Sequence, residues 1–345
     1  MRKIGKKWMI FLCIAVCLIL MYGCTVIGVA SISFKDANRI LLHEFLHLDL
    51  DMEGISDGSV TIIRNVRLPR VALGFVAGAS LAVCGSGFQG IFKNPMADPF
   101  VLGVSSGAAL GASIGIVLHF DGGFLGMSGI TLLAFIGAFL TIGLVYSISR
   151  VGKRVPVSTL LLSGIAVSQT LSAAMSVIMI MNKQSMDQIM FWNMGSLNGK
   201  GWNQILMVLP YCILGILILL ASSRELDIML MGEDTASQLG VNVEFLKKKV
   251  LFASTLITAA VISVTGIIGF VGLVVPHVVR MITGPKHGIL MPLSLVCGGA
   301  FLIICDTIAR SAATWEIPVG IITSLCGGPF FVYLLGKMKR GGELS

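Results

Sequence analysis

The chain has 345 residues, of which 55% are hydrophobic and 12% are charged, and its mean hydropathy is +0.93. Soluble domains carry about 25% charged residues, so this composition excludes a water-soluble fold and indicates a protein surrounded mainly by lipid. The net charge of +8 is carried by residues at the ends of apolar runs, which indicates membrane topology and excludes a nucleic-acid-binding surface.

The apolar runs predict an all-α integral membrane protein with about ten transmembrane helices in a single transmembrane domain, residues 1–345. The predicted spans are residues 8–32, 70–92, 99–118, 124–148, 159–181, 203–222, 250–267, 268–282, 289–309 and 318–336. The first run follows four basic residues, as in a secretory signal. It is longer than the apolar core of about 7–15 residues that such signals have, so we predict a retained span.

Most of the 25 Lys and Arg residues fall on one side of the membrane when the N-terminus is placed in the cytoplasm. The positive-inside rule therefore predicts a multi-pass protein of the cell membrane with both termini cytoplasmic. Two connections between spans are long. Residues 33–70 are predicted to be extracytoplasmic, and residues 222–249 are predicted to be cytoplasmic and are long enough to form short helices on the membrane surface.

Metal and cofactor sites are not expected. Most of the eight cysteines lie inside apolar runs without the spacing of metal ligands, which is typical of small buried hydrophobic residues. The segment His43-Glu44-Phe45-Leu46-His47 does match the H-E-x-x-H zinc-protease pattern. It lies in the polar outer connection and not in a span, so we predict an amphipathic surface helix and keep a membrane zinc protease as the alternative function.

Three arginines lie at the predicted outer ends of spans. Arg67 and Arg70 flank Pro69, and Arg310 follows Asp306 by one helical turn. Two interpretations fit this pattern: the side chains reach out to the membrane interface, or they form a cationic ring that pairs with carboxylates of an extracellular partner.

Two junctions between spans combine proline with polar residues. The first holds Gln89, Asn94 and Pro95, and the second holds Pro276, His277 and Arg280. Irregular backbone of this kind is tolerated in a membrane where protein or a water-filled cavity satisfies it, so the first junction either lines a pathway or forms a plain cytoplasmic turn. His277 is either part of a proton relay or, as we favour, a hydrogen-bonded structural residue.

The sequence contains no G-x-x-x-x-G-K-[ST] phosphate loop. The chain is therefore not expected to hydrolyse ATP in that way, and a separate subunit would have to supply any ATP-derived energy.

A series of motifs in fixed order resembles the FecCD-type permeases of binding-protein-dependent ABC importers, which take up iron-siderophores, haem and cobalamin. The motifs are Arg67-Leu68-Pro69-Arg70, Asn94-Pro95-Met96-Ala97-Asp98-Pro99, Leu102–Ala108, Gly272–Arg280, Asp306–Arg310, Glu316–Gly320 and Gly328–Phe331. The resemblance covers Arg64 to Lys337 and leaves the first span and the outer connection outside.

The resemblance implies a permease with ten helices and no ATPase activity of its own. It implies pairing with a second copy or a close paralogue, with the pathway at their interface, and assembly with two ATP-binding subunits and an extracytoplasmic substrate-binding protein. The expected cargo is an iron(III)-siderophore complex, with haem or cobalamin as the alternatives.

The resemblance also assigns residues. Arg67, Arg70 and Arg310 match the arginines that meet the binding protein. The inner gate is expected at Val157, Ser158 and Thr159. The ATPase-coupling segment is expected at Gly232, Glu233, Asp234, Ala236, Leu239 and Gly240.

Overall fold

The computed structural model describes residues 6–28, 30, 32–46, 52, 54–120, 127–152, 154–313 and 315–341. Within these ranges the chain is almost entirely helical, and the single β-type contact is an isolated bridge between Val151 and Arg154. The predicted all-α fold is confirmed.

Fifteen α-helices occur in the described ranges. They are α1 (Lys6–Val26), α2 (Phe34–Leu46), α3 (Asp57–Thr61), α4 (Leu68–Phe92), α5 (Val104–Val117), α6 (Gly129–Ser149), α7 (Val157–Met181), α8 (Met186–Asn193), α9 (Trp202–Ala221), α10 (Ser223–Met229), α11 (Glu233–Gln238), α12 (Val243–Thr265), α13 (Val271–Thr283), α14 (His287–Ser311) and α15 (Val319–Gly341). A π-helical segment, Ile62–Arg67, joins α3 to α4, and short 3₁₀ turns precede α5 and α8.

Each predicted span coincides with a helix. Six helical stretches of the described chain are long and apolar enough to cross a membrane: Trp8–Val26, Asp57–Phe92, Gly129–Ser149, Val157–Met181, Trp202–Ala221 and His287–Ser311. The other four predicted spans correspond to the 23-residue α12 and to three shorter apolar helices: Val104–Val117, Val271–Thr283 and Val319–Leu334. At 1.5 Å per residue, the 13 residues of α13 extend about 20 Å, so α13 crosses only part of the bilayer.

The centre of the bundle is α4. In its most apolar stretch 83% of the residues are buried, against 17% in α1 and 11% in α7. Two glycines make this burial possible: Gly78 lies against the backbone of Gly298 in α14, and Gly85 lies against the carbonyl oxygen of Gly272 in α13. Small residues at such crossings let helix backbones approach closely and gain dispersion contacts, which drive helix association in lipid.

The close contact between α4 and α13 leads to a stability prediction. In Gly85→Ala the new methyl group would collide with the backbone of Gly272, so the helices must separate, and overpacking of this kind costs about 1–3 kcal/mol. Thermal unfolding of detergent-purified protein should show a lower Tm. Gly143→Ala is the matched control, because a methyl group there meets nothing within 4 Å. Equal Tm values for the two variants would contradict the contact.

The bundle has two ends, which we name by their basic residues. The arginine face holds Arg67, Arg70 and Arg310, and the lysine face holds Lys247, Lys248 and Lys249. The helix α4 joins them: Arg70 lies in its first turn, and Phe92 at its end shares a small cavity with Lys247.

Several predicted boundaries are corrected. The helix of the first span ends at Val26 and not at residue 32, and the second span is the end of a 36-residue helix that begins at Asp57. The connection 33–70 is largely helical because serines cap its helices: Ser56 accepts a hydrogen bond from Ser59 N, and Ser33 accepts one from Asp36 N. The sequence analysis also missed α8.

The short helices expected in residues 222–249 are present as α10 and α11. The helix expected at the H-E-x-x-H segment is α2, which contains His43 and Glu44, whereas His47 lies outside the described residues.

Candidate functional site

One face of α7 is exposed along its whole length and mixes apolar with polar residues. We call this the pathway surface; it consists of Ser158, Leu162, Ile165, Gln169, Thr170, Ser176 and Val177. The exposed residues of α1 differ, since they are apolar or aromatic, including Trp8, Phe11 and Ile19. An apolar face is suited to lipid, so α1 is a lipid-facing helix and α7 has a different neighbour.

The side-chain amide of Gln169 needs hydrogen-bond partners from outside the chain. It lies near the middle of α7, is exposed, and makes no side-chain hydrogen bond to any described residue. An unsatisfied amide in hydrocarbon costs several kcal/mol, so this position requires water or a polar group of another subunit. The hydroxyl group of Thr170 bonds to the carbonyl of Ala166, so it is partly satisfied within the helix.

An open cavity of about 500 Å³ lies beside the ends of α8 and α12 and the start of α15. Its lining is uncharged and consists of Asn193, Met194, Ile267, Gly269, Gly320, Ile321, Ser324, Leu325 and Pro329. No charged side chain lines this cavity.

On the arginine face, Arg70 is the centre of a buried ion-pair network. Its Nε and Nη2 donate to the two carboxylate oxygens of Asp306, each at 2.9 Å, and its Nη1 donates to Glu316 Oε2, also at 2.9 Å. Arg70 is 5% exposed and Asp306 is 2% exposed. This bidentate pair ties α4 to α14 and to the segment that precedes α15.

The other two arginines hold the end of α1. Arg67 donates from Nη1 to the carbonyl of Val26 and from Nη2 to that of Ala30, both at 2.6 Å. Arg310 donates to the carbonyl of Cys24 and, at 3.3 Å, to Thr307 Oγ1. The last carbonyls of a helix lack intrahelical partners and carry partial negative charge, so cations there are stabilising.

All three arginines are therefore buried and engaged within the chain. In the sequence these residues had two interpretations, an interfacial position or a cationic ring that pairs with a partner's carboxylates. Contact with a partner's carboxylates would require each to give up an internal contact, and this docking role stays a prediction.

On the lysine face, the predicted coupling segment forms a capped turn of helix. Gly232 precedes α11 with a φ of 125°, and Gly240 follows it with a φ of 88°, backbone conformations that glycine adopts without strain. Ala236 is fully buried, whereas Leu239 and the preceding Met231 are exposed. The segment thus anchors itself through Ala236 and presents apolar side chains outward. Asp234 makes no ion pair with any described residue.

The predicted inner-gate residues begin α7. Pro156 occupies the N-cap position, Ser158 is exposed, and Val157 and Thr159 are half-buried. Thr159 Oγ1 donates to the carbonyls of Pro156 and Ser149, at 2.8 and 3.2 Å, which fixes the turn between α6 and α7. Of the three predicted gate residues, Ser158 lies on the pathway surface.

The residues of the first polar junction, Gln89, Asn94 and Pro95, have different environments. Gln89 is buried and donates to the carbonyls of Gly272 and Leu273, at 3.3 Å each, so it ties α4 to α13 and does not line an open path. Asn94 is exposed in a turn whose shape its side chain supports by accepting a hydrogen bond from Met96 N at 2.9 Å. Pro95 is half-buried in the same turn.

The second junction corrects the expectation for His277. Pro276 is buried within α13, and His277 Nδ1 is buried without a hydrogen-bond partner among the described residues. Its ring packs edge-on against Phe330 of α15, with centroids 6.1 Å apart. His277 is therefore a packing residue in this structure, and Arg280, three residues later, forms no ion pair within the described ranges.

The zinc-protease alternative gains no geometric support. Glu44 Oε1 pairs with Arg64 Nε at 3.0 Å, so the carboxylate that would act as general base is engaged. Among the described residues no three His, Cys, Asp or Glu side chains are grouped so that they could hold a metal ion.

Two functional candidates were missed in the sequence. The signal for Gln169 is a lone amide in an apolar run, in helical register with Ser158, Leu162 and Ile165. Lys247 was used only as one of the basic residues that predict the membrane orientation. In the structure it is buried and lies close to two carboxylates, those of Glu233 and Glu244.

Comparison with known proteins supplies the family. The FecCD transport family matches residues 12–337, so the match begins within the first span, which we had placed outside the resemblance. The chain is 45% identical over 282 residues to the cobalamin import system permease protein BtuC of Halobacterium salinarum, covering 82% of this chain and 75% of that protein.

It is 37% identical to the hemin transport system permease protein HmuU of Yersinia pestis, covering 98% of each chain. Its fold matches that of a protein described as a metal-chelate type ABC transporter, in an inward-facing conformation. That match has a TM-score of 0.83 and 30% identity, and it covers 95% of this chain and 99% of the other.

Proposed function

This chain belongs to the FecCD transport family and is an ABC importer permease, and from that premise we propose that it carries an iron(III)-siderophore complex across the cell membrane. The observation that carries the proposal is the pathway surface of α7, a mid-membrane face that is neither buried in the chain nor suited to lipid. A separate uncharged cavity at the start of α15 is compatible with a bulky chelate that encloses its metal ion.

Two exposed surfaces suggest the partners: the pathway surface of α7 and the apolar residues on either side of α11. We place a second copy of the chain, or a close paralogue, against α7 so that the pathway lies between the two subunits. Two ATP-binding subunits would contact α11 through Met231 and Leu239, which are exposed and apolar. ATP binding and hydrolysis in those subunits would move α11 and switch the pathway between outward-facing and inward-facing states.

The orientation places the lysine face and both termini in the cytoplasm, as the positive-inside rule requires. The arginine face is then extracytoplasmic and is the docking side for a substrate-binding protein. Among the three arginines, Arg67 is the best candidate for contact with a partner's carboxylate, since its two hydrogen-bond acceptors are neutral carbonyls and its charge is not paired.

The docking proposal gives a salt-dependent prediction. Arg67→Glu should weaken binding of the substrate-binding protein to the permease in nanodiscs by about tenfold at low salt and by less at high salt, because screening reduces the charge effect. Affinity measured at two ionic strengths tests this. An affinity equal to that of the unchanged protein at low salt would remove Arg67 from the docking site.

Haem and cobalamin remain the alternative cargoes, since the relatives named above are described as hemin and cobalamin permeases. The three cargoes are separated by growth of a strain that lacks this permease. The strain is grown with an iron(III)-siderophore or haem as the sole source of iron, or with cobalamin as the sole source of that vitamin. The proposal expects a growth defect on an iron(III)-siderophore that the plasmid-borne gene repairs. A defect confined to haem or cobalamin would replace the siderophore with that cargo.

A further inference from the structure

Lys247, in the first half of α12, is a cationic side chain that the fold encloses. Its side chain is 7% exposed, and its Nζ donates to Glu233 Oε2 at 2.8 Å. The same Nζ lies 3.4 Å from the carbonyl oxygen of Val155 and 3.5 Å from Glu244 Oε1. A buried ammonium group persists only where such acceptors replace its hydration, so these contacts fix the position of Lys247.

The three partners of Lys247 come from three different segments. Glu233 is the first residue of α11, Glu244 lies in the first turn of α12, and Val155 lies in the connection that leads into α7. Glu244 also accepts a hydrogen bond from the backbone N–H of Val155 at 3.2 Å. Lys247 and Glu244 therefore bind both backbone groups of Val155, two residues before the predicted gate residue Val157.

Lys247 also lies beside the predicted gate and the end of α4. It shares a small cavity of about 10 Å³ with Phe92, Val157 and Leu160. Phe92 ends α4, directly before the turn with Asn94 and Pro95, while Val157 begins α7. A cavity of this volume holds no more than about one water, so the side chains around it are in close contact.

The ion pair with Glu233 is also distinctive for α11. In the part of the chain that the structure describes, no other ion pair links α11 to another helix. Lys249 pairs with Glu225 of α10 at 3.1 Å, and Lys248 is exposed. Among the described residues, α11 is therefore linked to the other helices by this one ion pair.

We propose that Lys247 is a positioning residue that links the coupling segment to the inner gate. When α11 moves with an ATP-binding subunit, the Glu233–Lys247 pair displaces the connection at Val155 and with it the start of α7. The inference rests on the proposed function, because it takes α11 as the coupling segment and Val157 to Thr159 as the gate.

The test is the ratio of chelate transported to ATP hydrolysed in proteoliposomes that contain the full complex. Lys247→Met keeps the length of the side chain and removes the charge. Hydrolysis should stay within about twofold of the unchanged complex while uptake per ATP falls about tenfold, as expected for loss of coupling between two sites. Lys248→Met is the matched control and should leave the ratio unchanged.

A merely structural role would lower hydrolysis and uptake together and leave their ratio unchanged, which would overturn the proposal. If the Lys247→Met protein does not assemble into the complex, the same ratio is measured for Glu233→Gln. The side chain of Glu233 is 42% exposed, so removal of its charge is compatible with folding. An unchanged ratio in Glu233→Gln would equally overturn it.

A distance measurement gives a second readout. Spin labels on Ser158→Cys in the two permease copies should change separation when ATP binds, and Lys247→Met should abolish that change; its persistence would overturn the proposal. Failure of the proposed function is a separate result, since the unchanged complex would then show no ATP-driven uptake of the chelate.

Discussion

Arg70→Met is expected to give the largest loss of stability of any single substitution on the arginine face. The change leaves the carboxylate of Asp306, which is 2% exposed, without its bidentate partner. Removing one member of a buried ion pair costs about 3–5 kcal/mol, because the remaining carboxylate is not hydrated and, among the described residues, keeps only the longer contact of 3.9 Å with Arg310 Nε. The detergent-purified variant should therefore be recovered in low yield with a Tm well below that of the unchanged protein.

Glu316→Gln is the matched control for this network. Its side chain is 34% exposed, so the ion pair that it forms with Arg70 is partly hydrated, and its loss should cost no more than about 1 kcal/mol. The comparison also separates two roles for Arg70. An Arg70→Met protein with an unchanged Tm but weakened docking of the substrate-binding protein would contradict the structural role and support a direct contact.

Gln169→Trp is expected to reduce uptake at least tenfold while leaving the amount of folded protein unchanged. An indole ring on the pathway surface would narrow the path between two permease copies. Folding should be unaffected, because Gln169 is exposed and a larger side chain there meets little of its own chain. The added aromatic surface is tolerated in the membrane because tryptophan carries little penalty there, unlike a charged residue. Uptake of labelled chelate by proteoliposomes measures the effect.

Ile19→Trp in α1 is the control, since it adds the same ring to an exposed position near the middle of a lipid-facing helix. Its uptake should equal that of the unchanged protein. Equal uptake by the two variants would show that α7 does not line the path.

The membrane fold could be predicted from the sequence because a span of about 20 apolar residues is a local property of the chain. The ten spans were predicted in this way, and the short helices of residues 222–249 were predicted from the length of that connection. The other helices of residues 33–70 also have local signals: the capping serines Ser33 and Ser56 are visible in the sequence but were not used.

The environment of each side chain could not be predicted. Lipid and a helix neighbour are both apolar, so hydropathy does not distinguish α4, which is enclosed, from α7, which is exposed. The pairing of Arg70 with Asp306 joins residues 236 positions apart and follows from helix packing alone. For this reason neither the internal contacts of the arginines nor the burial of Lys247 was predicted.

The central claim is that α7 faces an aqueous path, and thiol labelling tests it most directly. Gln169→Cys and Ile19→Cys would be treated in membrane vesicles with a membrane-impermeant maleimide, in a background where the exposed Cys326 is replaced by Ser. The account predicts that Gln169→Cys is labelled much faster than Ile19→Cys, because thiolate forms in water and not in lipid. Labelling of Gln169→Cys as slow as that of Ile19→Cys would contradict it.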